Sequence, residues 1–217
     1  MNTLPAEFIQ RLEKFPALSQ TDIHEFVGEG QNHLVFRYKK DLVIKIPKFQ
    51  GGDTYSNPQV LQKDLQLIKK YFPKLATATT FMVNDQNTDY AVIQKFCQDS
   101  TEIVRDMDAL VRRQLETIIS QNKKLFRNTR HSLDLFGSSG FITSLLSTVL
   151  PGIKPKLSNI LLRKKADKSS LLLVDTELLR LTNQSTSWTS MRFHIRSWIS
   201  YKLTSFLLRR AFNFASA

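Results

Sequence analysis

Cysteine is almost missing from this sequence: Cys97 is the only one among 217 residues. A single thiol cannot form an intrachain disulfide, and it cannot supply the paired cysteine ligands of a zinc cluster. Such sparse use of cysteine is compatible with a reducing compartment, so we expect a cytoplasmic protein.

Long hydrophobic runs are also missing. The first fifteen residues include Glu7 and Glu13, which makes them a poor match to a signal peptide. The apolar stretch near the C-terminus is interrupted by Lys202, Arg209 and Arg210, so it is not a membrane-spanning segment. With 41% hydrophobic residues, the chain has the composition of a soluble globular protein. It is long enough for one sizeable core, or for two small lobes with a cleft between them.

Acidic residues are scarce in the second half of the chain. Residues 1–100 contain 12 Lys/Arg and 11 Asp/Glu, whereas residues 101–217 contain 19 and 8, and none of the acids follows Glu177. The formal net charge of +12 is therefore concentrated after residue 100. A basic half of this kind favours an anionic partner such as phosphate, nucleic acid or acidic lipid.

The first half alternates between helical and strand periodicity. Residues 1–21 predict an amphipathic N-terminal helix over about residues 5–20. IHEFVGEG, HLVFRYKK and DLVIKIPK then predict three strands of an antiparallel meander. A helix follows, starting at Asn57-Pro58, and TTFMVND and DYAVIQKF predict two more strands.

The second half is predicted to be richer in helix. Apolar residues recur at helical spacing from 101 to about 130, and LDLFGSSG then predicts a break. FITSLLSTVL predicts a short apolar helix, and LSNILLRKK with SLLLVDTELL predicts a hairpin. The last thirty residues predict a helix or a helix pair.

Four segments resemble the signature motifs of the protein-kinase-like family. VGEGQNHLVF resembles a glycine-rich loop with its following valine, and VIKIP resembles the third-strand lysine motif. KPKLSNILL and LLLVDTE resemble the segments with the catalytic-loop asparagine and the metal-binding aspartate. Over residues 22–181 the chain is most similar to small bacterial and aminoglycoside-phosphotransferase-like kinases, because Asp175 precedes Thr-Glu instead of Phe-Gly.

This resemblance implies an α+β, two-lobed kinase-like fold. Residues 22–98 would form an N-lobe with a five-stranded antiparallel sheet and one helix, covering the nucleotide. Residues 99–217 would form a reduced, mainly helical C-lobe that ends in a basic helix. The implied activity is the binding of ATP with Mg²⁺ and transfer of the γ-phosphoryl group to a hydroxyl acceptor, which the sequence does not identify.

The resemblance also implies a role for individual residues. Gly28 and Gly30 would let the backbone approach the phosphates, and Lys45 would pair with phosphate oxygens. Asn159 and Asp175 would hold Mg²⁺ through oxygen atoms. The adenine would be covered by two side chains, those of Val35 and Ile44, and its edge would be read by the backbone after the fifth strand. The residues implied for this backbone segment are Lys95, Phe96 and Cys97.

Each motif also has an ordinary structural explanation. A Gly-x-Gly pair supplies positive φ in a hairpin turn, and a lysine on a strand is usually solvated. Asn159 can cap a turn, and Asp175 can end a strand. The order and spacing of the motifs together favour the kinase-like interpretation.

Two positions depart from the family pattern. The family has an aspartate five residues before the catalytic-loop asparagine, but Lys154 stands there and cannot accept a proton while charged. Asp134 is the best substitute as catalytic base, if GFITSLLSTVL is inserted within that loop; alternatively, Asp134 caps a turn beside Gly137. In the first helix Asp64 replaces the usual glutamate, and it either pairs with Lys45 or lies on an exposed face. A pseudokinase scaffold, which binds nucleotide or nothing, therefore stays open.

The basic C-terminal segment supports other classes of partner. MRFHIRSWISYKLTSFLLRR mixes basic and aromatic residues, which is typical of nucleic-acid-binding surfaces. The helical spacing of its apolar residues instead favours a helix packed on a core with its arginines in water. The same helix could contact a membrane surface, and its charge would suit a kinase with an anionic acceptor.

Overall fold

A computed structural model of the chain shows a mixed α+β fold and confirms the five-stranded antiparallel sheet. The chain divides into two compact units, residues 1–66 with 77–98 and residues 67–76 with 99–217. The structure describes residues 6–29, 33–48, 57–98, 100–103, 108–165, 168–175, 177–180, 198–199, 201–202, 204–210 and 212.

The sheet of the first unit has the strand order β1-β2-β3-β5-β4. Neighbouring strands in this order are antiparallel throughout, as the turn-linked β-branched and aromatic runs predicted. The strands are β1 (Ile23–Glu29), β2 (His33–Tyr38), β3 (Leu42–Pro47), β4 (Thr79–Val83) and β5 (Tyr90–Lys95).

One face of this sheet is covered by the N-terminal segment. Helix α1 (Ala6–Leu12) is followed by turns and by a 3₁₀ helix at Gln20–Asp22, so the predicted helix over about residues 5–20 is too long. Pro16 gives the reason, because proline disfavours a helical conformation in the residue before it. Apolar residues of this segment still pack with the sheet in one core: Phe8, Leu12, Phe15, Leu18, Ile23, Phe36, Tyr38, Ile44, Ile46 and Ala91.

Helix α2 (Pro58–Tyr71) begins where the sequence predicted. The side-chain oxygen of Asn57 accepts a hydrogen bond from the Gln59 backbone at 2.9 Å, which satisfies one of the free N–H groups at the helix start. Its residue Leu61 packs against Tyr90 and Val92 of β5. Because Val92 lies directly opposite Lys45 in the sheet, Lys45 points to the same face as this small cluster.

The predicted helix starting at residue 101 begins later. Residues Ser100–Glu102 form strand β6, and helix α3 runs from Ala109 to Thr129. Its cap is Asp108, whose carboxylate accepts a hydrogen bond from Val111 N at 2.7 Å. Strand pairing with residues 161–163 therefore overrides the helical spacing of the apolar residues before position 108.

The predicted hairpin is present as β8 (Ile160–Lys165) and β9 (Lys168–Leu173). The segment SLLLVDTELL, predicted as the second strand of this hairpin, is not one strand, however. Strand β9 ends before Asp175, and β10 (Leu178–Arg180) pairs instead with β7 (His131–Leu133). Helix α4 (Gly137–Leu146) starts inside GSSG, which the sequence predicted as part of a break. Residues 204–210 are helical.

The second unit has its own apolar core. It is lined by one side of α3, by the β8–β9 hairpin and by Leu207, Leu208 and Phe212 near the C-terminus. Leu207, Leu208 and Phe212 therefore pack on this core. Trp198, Ile199 and Phe206 of the same segment are exposed, as are Arg209 and Arg210, so among the described residues the predicted packing of its apolar face on a core is found only in part. Among the described residues, no helix combines the length and the apolar composition needed to cross a bilayer.

Candidate functional site

The side chain of Asn159 joins two distant parts of the second unit. Its amide Nδ2 donates to the Asp175 carboxylate (Oδ2) at 2.9 Å and to the backbone carbonyl of Asp134 at 2.8 Å. These partners are 16 and 25 residues away along the chain. The candidate metal ligands and the candidate base of the sequence analysis therefore lie together around one amide.

The β8–β9 hairpin explains why Asn159 and Asp175 meet. Ile160 is paired with Leu173, and the chain continues this antiparallel arrangement because Val174 N donates to the Asn159 carbonyl at 3.0 Å. Asn159 and Asp175 thus lie at the open end of the same hairpin. The Asp175 carboxylate is held further by the backbone N–H of Glu177, which donates to Oδ1 at 3.2 Å.

Asp134 follows β7 and leads into α4. Its Oδ1 accepts a hydrogen bond from Gly137 N at 2.9 Å, so the turn interaction considered for Asp134 in the sequence is present. The carboxylate is partly buried, and its own backbone carbonyl is the group that receives the Asn159 amide. Asp134 consequently has a structural role that does not depend on any catalytic one.

Two glycines bring α4 against the segment that carries Asn159, a feature that the sequence analysis missed. Gly137 has φ +64°, and a Cβ atom there would lie 3.2 Å from Asn159 Oδ1. A Cβ atom on Gly140 would lie only 2.7 Å from the Lys156 carbonyl oxygen, which is closer than side chains tolerate. The signal was the spacing of GSSG, because residues three apart lie on one side of a helix.

Lys154, which stands where the family has its catalytic aspartate, is exposed. It lies five residues before Asn159 in the segment between α4 and β8. The described structure gives this position no role in the hydrogen-bond network around the Asn159 amide.

Lys45 lies at the centre of the sheet in the first unit. It is partly buried in β3, opposite Val35 on one neighbouring strand and Val92 on the other. Asp64 of α2 has a relative exposure of 1%, so the alternative that it lies on an exposed helix face is wrong. Asp64 is three residues after Leu61, which packs on Val92, and therefore lies on the side of α2 that faces this sheet.

The described half of the glycine-rich segment is extended strand. Gly28 pairs with Val35 after an irregularity in the β1–β2 register, and its φ is not in the left-handed region. A Cβ atom there would have nothing within 4 Å, so the fold does not require glycine at position 28. Gly30 lies outside the described residues.

The predicted base-reading backbone follows β5. Lys95 N donates to the Ala78 carbonyl and Phe96 N donates to the Asp41 carbonyl, so both N–H groups serve the protein itself. The Phe96 ring lies 3.9 Å from the Arg37 guanidinium.

The first unit also buries a histidine near Lys45. His33 of β2 shares a 2.7 Å hydrogen bond between its Nε2 and the Tyr90 hydroxyl. Burial lowers the pKa of His33 to about 3, and the positive charges of Lys45, Arg11 and Lys48 act in the same direction. His33 is therefore neutral in the folded protein at physiological pH.

The donor atoms around Asn159 suit a hard cation. Asn159 and Asp175 supply an amide oxygen and carboxylate oxygens, which Mg²⁺ prefers, and a protein commonly gives it one or two carboxylates while phosphates supply further oxygens. No group of three or more His, Cys, Asp or Glu side chains that could hold a metal ion occurs among the residues that the structure describes. Asn159 and Asp175 would leave the other coordination positions of a bound Mg²⁺ to water or phosphate oxygens.

His33 predicts a specific pH dependence of stability. Between pH 6.5 and about pH 3 the unfolded chain binds a proton at His33 that the folded protein excludes. The free energy of unfolding should thus fall as the pH is lowered, by roughly 2 kcal/mol between pH 7 and pH 5 from this residue. Urea denaturation of wild type and His33→Gln at both pH values measures the difference.

The matched control is His24→Gln, which replaces an exposed histidine on β1. It should keep the wild-type loss of stability at pH 5, whereas His33→Gln should show a smaller loss. Equal pH dependence in wild type and His33→Gln would contradict the assignment of this effect to His33.

Comparison of the sequence with protein-family models and with curated proteins yields no match. Two groups of residues carry the candidate chemistry: the Asn159 amide with its two partners in the second unit, and Lys45 with the buried Asp64 in the first.

Proposed function

We propose that the chain is an atypical kinase-like phosphotransferase that binds Mg-ATP and transfers the γ-phosphoryl group to a hydroxyl acceptor. The observation that carries this proposal is the pair of hydrogen bonds from Asn159 to Asp175 and to Asp134. Asn159 and Asp175, selected from separate motifs as ligands of one metal ion, are in direct contact, and the same amide binds the backbone of Asp134, the candidate base.

The first unit supports the proposal with a second arrangement. A five-stranded antiparallel sheet with one helix is what the N-lobe of a kinase-like fold requires, and Lys45 lies on its middle strand. The buried Asp64 on α2 is the carboxylate that such a lysine needs to keep its orientation. In the proposed two-lobed fold, the second unit is the reduced C-lobe.

The proposed roles follow from the charge of the reaction. Phosphoryl transfer depends mainly on neutralising and positioning the phosphates. Lys45 binds phosphate oxygens, and Asn159 and Asp175 hold Mg²⁺, which neutralises charge on the phosphates when bound. Asp134 receives the proton of the acceptor hydroxyl. The nucleotide is enclosed by the β1–β2 hairpin and the segment after β5: Gly28, Gly30, Val35, Lys95, Phe96 and Cys97.

A pseudokinase is the second candidate, and one observation favours it. Asp134 Oδ1 already accepts a hydrogen bond from Gly137 N, while Lys154 offers no carboxylate at the family's usual position. A nucleotide-binding scaffold without transfer would need Lys45, Asn159 and Asp175 but no base.

The basic C-terminal segment bears on the acceptor of an active kinase. Exposed Arg209 and Arg210 are compatible with an anionic acceptor, whereas Arg192 and Arg196 of the same segment lie outside the described residues.

Mg-ATP should stabilise the protein through Asp175. At a concentration 100 times Kd, a ligand specific for the folded state adds about 2.7 kcal/mol. For a chain of this size the unfolding midpoint should then rise by roughly 5–10 °C. Asp175→Asn should abolish most of the rise, because an amide replaces the negative charge that holds Mg²⁺. Thermal-shift titration with and without EDTA measures the effect.

The control for this titration is Asp85→Asn, which changes an exposed carboxylate in the turn between β4 and β5. It should respond to Mg-ATP like wild type. Lys45→Met should lose the response together with Asp175→Asn if the two residues serve one nucleotide. An unchanged midpoint of the wild-type protein in Mg-ATP would reject nucleotide binding, and with it the phosphotransferase and the nucleotide-binding pseudokinase, and would leave only a scaffold that binds no nucleotide.

Gly28→Ala should affect the binding of Mg-ATP without lowering the stability of the fold. Because a Cβ atom at position 28 meets nothing within 4 Å, the substitution should leave stability the same or raise it by up to about 1 kcal/mol. It should nevertheless weaken Mg-ATP binding if the backbone of the hairpin approaches the phosphates. Denaturation and nucleotide titration of the same variant give the two values, and unchanged affinity would remove Gly28 from the site.

Asp134→Asn tests transfer against binding alone. The asparagine oxygen can still accept the hydrogen bond from Gly137 N, but the amide cannot take a proton. If Asp134 is the base, slow Mg-dependent ATP hydrolysis, in which water replaces the acceptor, should fall at least about 100-fold with the Mg-ATP thermal shift retained. Hydrolysis that continues at the wild-type rate would exclude Asp134 as base, and a wild type that binds without hydrolysis would favour the pseudokinase.

A further inference from the structure

Helix α4 places its small residues inward and its large apolar residues outward. Gly140, Ser144 and Ser147 are buried. The Ser144 hydroxyl fixes the helix by donating to the Lys156 carbonyl at 2.9 Å and accepting from Lys156 N at 3.0 Å. The outward side carries five exposed aliphatic residues, here called the α4 stripe: Ile142, Leu145, Leu146, Val149 and Leu150.

The spacing of the α4 stripe is that of one helix face. Its members lie at i, i+3, i+4, i+7 and i+8, and the Leu150 N–H still bonds to the Leu146 carbonyl, which continues the turn beyond the helix end. Val149 is 76% exposed and Ile142 is 60% exposed. A surface helix normally turns such a face to the core. In α4 this face points to solvent instead, and a contiguous exposed apolar surface of this kind is typical of a binding site for an apolar partner.

The chain around the stripe carries no charge over a long stretch. No Asp, Glu, Lys or Arg occurs between Asp134 and Lys154. The first charge after the stripe is the exposed Lys154, and the half of the chain that contains it has 19 basic and 8 acidic residues. An exposed apolar helix face that is followed by an exposed lysine, in a half of the chain with an excess of positive charge, suits the interface of an anionic bilayer.

We infer that the α4 stripe docks the protein on the surface of an anionic lipid bilayer, with its aliphatic side chains among the acyl chains and Lys154 at the headgroups. A protein partner fits less well, because the stripe lacks the Trp, Tyr and Arg side chains that dominate protein interfaces. Five aliphatic side chains on one short helix are also far fewer than the roughly 20–30 residues that each partner of a standard interface contributes.

This inference does not depend on the proposed phosphotransferase. The stripe lies on the side of α4 opposite the buried Gly140 and Ser144, which pack towards Lys156 and Ser158. Its removal should thus leave the Mg-ATP thermal shift unchanged, and loss of nucleotide binding should leave docking unchanged. Failure of one proposal can therefore be distinguished from failure of the other.

The test is flotation of the full chain with vesicles of phosphatidylcholine alone and of phosphatidylcholine with 30 mol% phosphatidylglycerol, taking ~30% as a typical anionic content. Wild type should float with the anionic vesicles and less with the neutral ones. Ile142→Gln/Val149→Gln should lower binding at least about tenfold, because its two side chains are the most exposed of the stripe. Lys154→Gln should lower binding to anionic vesicles by about fivefold and not affect binding to neutral ones.

Two controls keep the result specific. Leu110→Gln changes a comparably exposed aliphatic residue at the start of α3 and should bind like wild type. Phe206→Gln changes an exposed residue of the helical segment 204–210 and tests whether that segment docks instead. Far-UV circular dichroism of each variant should match wild type, since all five substituted positions are exposed.

Three results would overturn the inference. The first is absence of wild-type flotation with both kinds of vesicle. The second is flotation that the Ile142/Val149 variant retains or that Phe206→Gln alone removes. The third is a dimer in sedimentation velocity that the Ile142/Val149 variant dissociates, because a second copy of the chain would then be the partner of the stripe.

Discussion

The amide of Asn159 is the interaction on which the organisation of the second unit depends. Its NH₂ group donates to the backbone after β7 and to the carboxylate after β9. Because β7 pairs with β10 and β9 pairs with β8, the amide connects the ends of two strands that belong to different sheets. A partly buried amide with both hydrogens bonded is costly to disturb, because each partner would be left without its donor. The same geometry brings the backbone of Asp134 and the carboxylate of Asp175 to the Asn159 side chain, so the structural centre of this region lies beside its candidate chemical groups.

The close packing of α4 follows from this arrangement and has a consequence on the other side of the helix. Gly137 and Gly140 allow the helix to lie against the backbone of residues 156–159, where larger side chains would collide. A helix that makes its inward contact with glycine and serine cannot bury its leucines and isoleucines there. The exposed α4 stripe is thus on the side of the helix opposite the tight contact near Asn159. The two proposals concern opposite sides of one short helix, and neither depends on the other.

The first unit was predictable from local patterns to a large extent. Alternating apolar residues and turn residues located all five strands, and Asn57-Pro58 located the start of α2, since these signals act within a few residues. The errors came where a contact distant in sequence competed with a local preference. Residues 100–102 pair with β8 despite helical spacing nearby, and β10 leaves the β8–β9 hairpin to pair with β7. The burial of Asp64 likewise could not be read from the sequence, because aspartate is normally a surface residue.

The sequence by itself determined the residue types available for chemistry, the sheet of the first unit, and the excess of positive charge after residue 100, because these depend on composition and on periodicities of two and 3.6 residues. Only the tertiary structure decided that the Asn159 amide lies between Asp134 and Asp175, and that α4 turns its aliphatic side outward. Both outcomes require knowing which segments touch. Contacts between residues 16 to 25 positions apart are set by strand pairing and close packing, and neither leaves a periodic signal in the chain.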